Sequence, residues 1–260
     1  MPNTLSVVLI TLNEAANLPR TLASVRGLGE IIVLDSGSTD STLDVARSFG
    51  ARVFSESWKG FGPQKNSAIS RATTDWILSL DADEELSPAL ASEIQSLLAG
   101  NPAFNAYFIP RLNHFLGRPQ RHGGYWPDPK LRLFRRGAAH FSDRPVHETM
   151  QSEEPVGRLH GHLIHHCYPT LAEYIEHMNR YSTLNAQMIV DSGRAGSSSV
   201  WLLWNALLNP AATFLYNYFF RLGFLDGRAG LLQHINHSVY IHWKFAKAWR
   251  LALDRRNSPR

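Results

Sequence analysis

Four carboxylates sit where three apolar runs end. Glu14 follows Leu5–Thr11, Asp35 closes Ile31–Leu34, and Asp81 and Asp83 follow Trp76–Leu80. If those runs are parallel strands, all of these side chains lie along one sheet edge. Acidic groups crowded there repel one another unless a cation or a ligand donor is present. An Asp-x-Asp pair at a strand end suits Mg²⁺ or Mn²⁺, which take hard oxygen ligands and share them with substrate phosphates. Such an ion would neutralise a departing diphosphate. An aspartate that merely caps the next helix would account for one of these carboxylates but not for all of them. Lys59, Lys65, Arg132 and Arg135 are the cations available for phosphate. The turn Asp35-Ser36-Gly37-Ser38-Thr39-Asp40 leads into a helix that Asp40 or Ser41 would cap, leaving Asp35 at the strand end to meet a base or ribose donor. Two common nucleotide-binding solutions are excluded. Thr11–Ala16 has no glycine fingerprint, and no Gly-Lys-Ser/Thr occurs anywhere.

The elements that must position these groups alternate regularly. Strands are expected at Leu5–Thr11, Ile31–Leu34, Arg52–Ser55, Trp76–Leu80 and Ala106–Arg111. Helices are expected at Leu18–Arg26, Ser41–Phe49 and Gln64–Arg71, with a fourth starting at Ser87-Pro88. This alternation predicts an α/β fold with a mostly parallel central sheet covered on both faces, binding ligand at the carboxyl ends of its strands. Residues 112–168 are rich in Gly, Pro, His and Arg and read as an irregular half closing over the site, with Gly123-Gly124 as a flexible loop. From Thr170 the pattern is helical. Met1–Leu12 lacks a basic leading region and reads as a first strand, not a signal peptide.

The chain carries a net +4, unevenly distributed. Residues 221–260 hold eight Lys/Arg and two Asp/Glu, leaving 18 basic and 20 acidic residues in 1–220. The basic tail could face phosphates, anionic lipid or nucleic acid, or be a solvated helix face. With Cys167 as its one cysteine the chain forms no internal disulfide, which suits a reducing compartment. Residues 195–220 contain no charge. Asn205, Asn209, Thr213, Asn217 and then Arg221 recur every four residues, a narrow polar stripe on an otherwise apolar helix that Pro210 would kink or restart. Three readings stay open: burial in a core, contact with a bilayer interface through Trp201, Trp204, Tyr216 and Phe219, and a membrane span.

In order, Thr11-Leu12-Asn13-Glu14, Asp35–Asp40, Gln64-Lys65-Asn66 and Leu80-Asp81-Ala82-Asp83-Glu84 resemble the family 2 glycosyltransferases of GT-A fold. The resemblance is strong over residues 4–112. Beyond them, Tyr125-Trp126-Pro127-Asp128, Lys130–Arg135, Val146-His147-Glu148, His165 and Tyr174–Tyr181 are similar to the subgroup that glucosylates the inner core of bacterial lipopolysaccharide.

The resemblance implies a UDP-sugar donor, inverting transfer and a lipid-linked saccharide acceptor, with no nucleic-acid partner. Nucleotide-sugar contacts would come from Thr11, Asn13, Glu14, Asp35, Ser36, Lys65, Asp81 and Arg132, with Thr11, Glu14 and Asp35 around the base. Many relatives have an aspartate at Ser36, which puts that base contact in question. Asp81, Asp83 and His165 would hold Mg²⁺ or Mn²⁺. The neighbouring His160, His162 and His166 match no standard zinc spacing. Glu148 would be the general base, Asp128 the second choice, and Trp126 with Tyr125 could stack on a sugar ring of the acceptor or pack in the core. The expected division is 1–169 as the catalytic domain (1–111 for nucleotide, 112–169 for acceptor), followed by a helical region, 170–260, that could hold the protein peripherally on the inner face of the cytoplasmic membrane. Competing readings are transfer to another surface polysaccharide or lipid carrier, and a non-catalytic nucleotide-sugar-binding scaffold.

Overall fold

The computed structural model describes residues 3–142 and 149–257. The chain divides into two compact units, Met1–Leu112 with Pro127–His165, and Asn113–Trp126 with His166–Arg260.

In the first unit, β1 (Leu5–Thr11), β2 (Glu30–Asp35), β3 (Arg52–Ser55) and β4 (Trp76–Leu80) pair in parallel in the order β3-β2-β1-β4. The central runs β1, β2 and β4 are predominantly apolar because both sheet faces are covered there, while the edge strand β3 is exposed at both its ends, Arg52 and Ser55. Successive side chains alternate between the faces. Val7, Leu9 and Leu78 pack with Leu18 and Leu22 of α1 (Leu18–Ser24) and with Leu90 and Ile94 of α4 (Pro88–Ala99). Val8, Ile32 and Ile77 point the other way, towards Ala68 of α3 (Phe61–Ile69). Ser87 caps α4, its hydroxyl accepting from Leu90 N at 3.2 Å. Ahead of α2 (Thr42–Ser48) the capping oxygen is Asp40 Oδ1, which accepts from Thr42 N at 3.0 Å.

Beyond β4 the sheet turns antiparallel. β8 (Asp128–Arg135) pairs with β4 and with β6 (Ala106–Phe115), while a short β5 (Glu84–Leu86) pairs with β12 (Leu163–Tyr168). Two-residue strands complete the pairing: β7 (Arg118–Pro119) and β11 (Gly157–Arg158) on β6, and β9 (His140–Phe141) with β10 (Met150–Gln151). The chain reverses its direction of travel across the sheet between β1 and β4, which is where an α/β sheet opens a crevice at its strand ends.

The second unit is mainly helical. α5 (Leu171–Asp191) and α7 (Gly227–Asn257) pack through Ala186, Val190 and Ala248, and Lys247 Nζ reaches Asn179 Oδ1, Ser182 Oγ and Thr183 Oγ1 at 2.7–2.8 Å. Gly123 and Gly124 are not a loose loop. Both have positive φ, and a Cβ would strike the His234 ring at the first and the Arg221 guanidinium at the second. Glycine is required there by close packing. The preceding turn is tied to Asp226, which accepts from the backbone of Arg121 and His122. Tyr125 packs on the His234 ring with centroids 5.3 Å apart, which is the core packing that the sequence left open beside sugar stacking.

Between α5 and α7, residues 199–220 form one helix, α6, in which α-helical turns alternate with two π-helical segments, Leu203–Leu208 and Tyr216–Phe220. Pro210 stands in the first turn of the α-helical segment Asn209–Leu215, which follows directly on the first π-helical segment, a position where its missing N–H is tolerated. The π turns also answer the four-residue repeat. An α-helix overshoots a full turn by about 40° every four residues, so a four-residue stripe drifts round it. Turns closed by i→i+5 bonds hold more residues and take that drift back.

Candidate active site

Thr11 and Asp35 are register partners at the ends of β1 and β2, and Leu9 is opposite Leu80 of β4. That register brings the Glu14 turn, the Asp35 turn and the Asp81–Asp83 turn to one edge. Asp35 is buried, and all four of its acceptor positions are filled locally. Oδ1 accepts from Thr11 Oγ1 (2.9 Å) and Ser38 Oγ (2.5 Å), and Oδ2 from Gly37 N (2.9 Å) and Ser38 N (2.8 Å). Burial alone would raise its pKa, but these bonds outweigh it and hold the carboxyl below the usual range. Asp35 therefore shapes the turn. Asn13, at φ 56°, bridges the two turns: its N donates to Ser38 Oγ and its Oδ1 accepts from Thr39 N, each at 2.8 Å. Ser36 Oγ is buried without a partner among the described residues. Glu14 accepts from Asn17 Nδ2 at 2.9 Å; burial, with Asp83, Asp40 and Asp81 nearby, raises its pKa.

The acidic crowding is resolved by cations of the protein itself. Lys65, from α3, meets Asp81 Oδ1 at 2.7 Å, and Arg132, from β8, bonds Asp81 Oδ2 through Nη2. Asn66 fixes the helix behind Lys65 by a reciprocal pair of 2.9 Å bonds with the Phe141 backbone. Arg132 Nη2 also donates to Glu84 Oε1 at 2.8 Å, and Arg111 Nη1 donates to the same oxygen at 3.0 Å. Glu84 Oε2 accepts from Asp81 N at 3.1 Å, so this fully buried carboxylate holds both the arginines and the turn. Although burial opposes ionisation, Arg132 and Lys65 keep Asp81 well below the usual carboxylate range, and Asp81 and Glu84 raise Arg132 in return.

Asp83 has a different partner. Its Oδ2 lies 3.2 Å from His165 Nε2, a meeting set by the β5–β12 register, in which His165 is opposite Glu84. Asp83 is lowered too, the His165 hydrogen bond and charge outweighing burial.

The glycosyl transferase family 2 model matches residues 6–159, which include the residues of this edge named above except His165. The chain belongs to that family. It is 31% identical to the lipopolysaccharide core biosynthesis glycosyltransferase LpsC of Rhizobium meliloti, over 95% of this chain and 92% of LpsC. It is 30% identical to a Rickettsia typhi glycosyltransferase, RT0209, over 97% of this chain and 89% of that protein. S. aureus TarS (residues 1–349) is a structural relative at 13% identity and a TM-score of 0.47, covering 98% of this chain and 92% of TarS. As a family 2 glycosyltransferase the protein is an enzyme, and its parallel half joined to antiparallel strands is the GT-A fold.

Within this glycosyltransferase the expected site residues separate into groups. Thr11, Asn13, Asp35 and Ser36 build the turns, while Lys65, Asp81 and Arg132 form a charged cluster with Glu84 and Arg111. The sequence motifs assign no role to Glu84 or Arg111. Glu84 follows the acidic motif directly and could have been suspected, but the Arg111 pairing depends on β6 lying beside β8. Asp128 is engaged on both oxygens, by Lys130 at 2.8 Å and by Arg111 at 2.8 and 3.0 Å; burial is outweighed by these cations and its pKa is lowered, which makes it a poor proton acceptor. Glu148 lies outside the described residues.

Among the described residues no three His, Cys, Asp or Glu converge as a metal cage. The Asp83–His165 pair nonetheless fits Mg²⁺ or Mn²⁺, which commonly use one or two protein ligands and complete their shell with water and substrate phosphate. Asp81 fits less well, since both its oxygens are held by cations.

Proposed function

We propose that the protein is an inverting hexosyltransferase that moves glucose from UDP-glucose to a lipid-linked saccharide, the lipopolysaccharide core, working peripherally at the inner face of the cytoplasmic membrane. The observation that carries this reading is the juxtaposition of the Asp83–His165 pair with the Lys65–Asp81–Arg132 cluster at the sheet edge of a family 2 glycosyltransferase. A diphosphate laid across this edge would meet two cations and the ligands of a divalent ion. When bound, that ion would offset the charge that develops on the departing diphosphate. Lys65 and Arg132 would do the same from the protein side, already aimed and shielded from water. The likeness to LpsC supports the acceptor assignment.

In this reading the acceptor hydroxyl attacks the anomeric carbon from the face opposite the diphosphate. The new C–O bond forms as the bond to the phosphate oxygen breaks, and the electron pair leaves with UDP. The hydroxyl proton passes to a carboxylate, a transfer that contributes about 10²–10⁴-fold. Glu148 is proposed for that role, because Asp128 is held in its ionised form by Arg111 and Lys130.

Calorimetric titration with UDP-glucose tests the donor side. Binding should require Mn²⁺ or Mg²⁺, vanish with chelator and in Asp83→Ala, and weaken on the order of tenfold in Lys65→Met through loss of one charge-assisted contact. Absence of binding with either metal would refute a UDP-glucose donor. UDP release that rises on adding core saccharide would distinguish the enzyme reading from a binding scaffold.

A further inference from the structure

Helix α6 is amphipathic in the opposite sense to a helix on a water-soluble surface. Its polar stripe is half-buried and turned inward: Asn205, Asn209, Thr213 and Asn217 all lie on the covered side. The exposed side consists of residues 203–204, 207–208, 211–212, 215–216 and 219–220, and every one is apolar or aromatic. Phe220 is 78% exposed and Trp204 66%. Helix α7 covers the inner side with polar contacts. Ser238 Oγ donates to Pro210 O at 2.9 Å, and His242 Nδ1 to Ala206 O at 2.7 Å. The π-helical segments keep this division straight along the helix, so the outward face is one strip and not a spiral.

A strip of this composition would aggregate in water unless something covers it. A protein partner is a poor match, since protein interfaces carry about one hydrogen bond per 100–200 Å² and the outward positions offer almost no polar side-chain atoms. The hydrocarbon boundary of a bilayer asks for no such bonds. The charges agree with a lipid surface. Exposed Arg194 precedes the helix, and exposed Arg221 and Arg228 follow it; among the described residues neither Arg221 nor Arg228 is paired with a carboxylate. No helix among the described residues is long and apolar enough to cross a membrane, and the polar side of α6 is already packed on α7. Such a helix lies in the plane of the interface.

We infer that the outward face of α6 docks on a bilayer containing anionic lipid, with Trp204, Leu208, Leu215, Tyr216, Phe219 and Phe220 inserted and Arg221 and Arg228 at the headgroups. The inference rests on the reading of the acceptor as lipid-anchored, and it names the surface that meets the lipid. That surface brings enzyme and acceptor onto the same plane.

Flotation with phosphatidylcholine vesicles, with and without phosphatidylglycerol, tests it, with UDP-glucose binding measured on the same preparations. Wild type should float with the anionic vesicles and be partly released by salt. The double variant Trp204→Ser/Phe220→Ser, checked for an unchanged melting temperature, should partition roughly tenfold less, having lost two inserted aromatics. Arg221→Gln/Arg228→Gln should lose mainly the preference for phosphatidylglycerol. Wild type that stays in the aqueous phase at low salt overturns the inference, and so does a serine variant that floats as well as wild type. A wild-type dimer that the serine variant cannot form, with no flotation, overturns it in favour of a second copy. Flotation that persists when UDP-glucose does not bind supports the surface and removes only the donor assignment. The converse removes only the surface.

Discussion

Asp35, expected at the nucleotide, also holds together the turn on which it sits. Its carboxylate closes the Gly37–Ser38 turn and reaches back to Thr11, joining β1 and β2 where the nucleotide would lie. Asp35→Asn removes acceptor capacity from a buried cluster of donors and should cost about 1–3 kcal/mol in urea unfolding near neutral pH. The sign with pH follows from the lowered pKa in the folded state. The stabilisation is fully present above the unfolded carboxyl value of about 3.9 and is lost as pH falls from there through the folded value. The stability gap between wild type and Asp35→Asn should therefore close on acidification. A gap that stays constant down to the acid transition would show that ionised Asp35 does not hold the turn.

Among the elements, α5 and α7 approach closely because alanine faces alanine, Ala186 and Ala248 both being fully buried. Ala186→Leu adds volume that this contact cannot accept and should cost about 1–3 kcal/mol in urea unfolding, while leaving UDP-glucose affinity unchanged, since the site residues belong to the other unit. An Ala186→Leu protein as stable as wild type would mean that the two helices are held by Lys247 and its oxygen partners, not by packing. Of these two helices it is α7 that also bonds the inner side of α6, through Ser238 and His242.

Over the whole molecule, the site's charges are largely balanced without any ion: Asp81 by Lys65 and Arg132, Glu84 by Arg111 and Arg132. Metal is accordingly expected to serve the donor and not the fold. Chelator alone should leave the melting temperature unchanged. UDP with Mn²⁺ at a hundredfold its dissociation constant should add about 2.7 kcal/mol of apparent stability by mass action, read as a rise in melting temperature that chelator abolishes. A chelator-induced drop without nucleotide would instead identify a structural ion. The excess positive charge of residues 221–260 lies in the unit that carries the apolar strip, and residues 1–220 are near neutral.

The sequence by itself determined the parallel half of the sheet and the edge that carries Glu14, Asp35, Asp81 and Asp83. Those features are local: strands buried on both faces are apolar throughout, and each acidic motif sits directly at a strand end. The motif order also pointed to the right family. Tertiary structure decided which charges neutralise which. Arg132 reaches Asp81 because β8 inserts antiparallel beside β4, Arg111 reaches Glu84 because β6 lies beyond it, and His165 faces Asp83 because of the β5–β12 register. None of these pairings leaves a periodic trace along the chain. Helix α6 divides the same way. Its four-residue repeat fixed two faces, but an amphipathic pattern carries no sign: which face turns inward was decided by α7, whose Ser238 and His242 bond the backbone of the polar side and leave the aromatics outside.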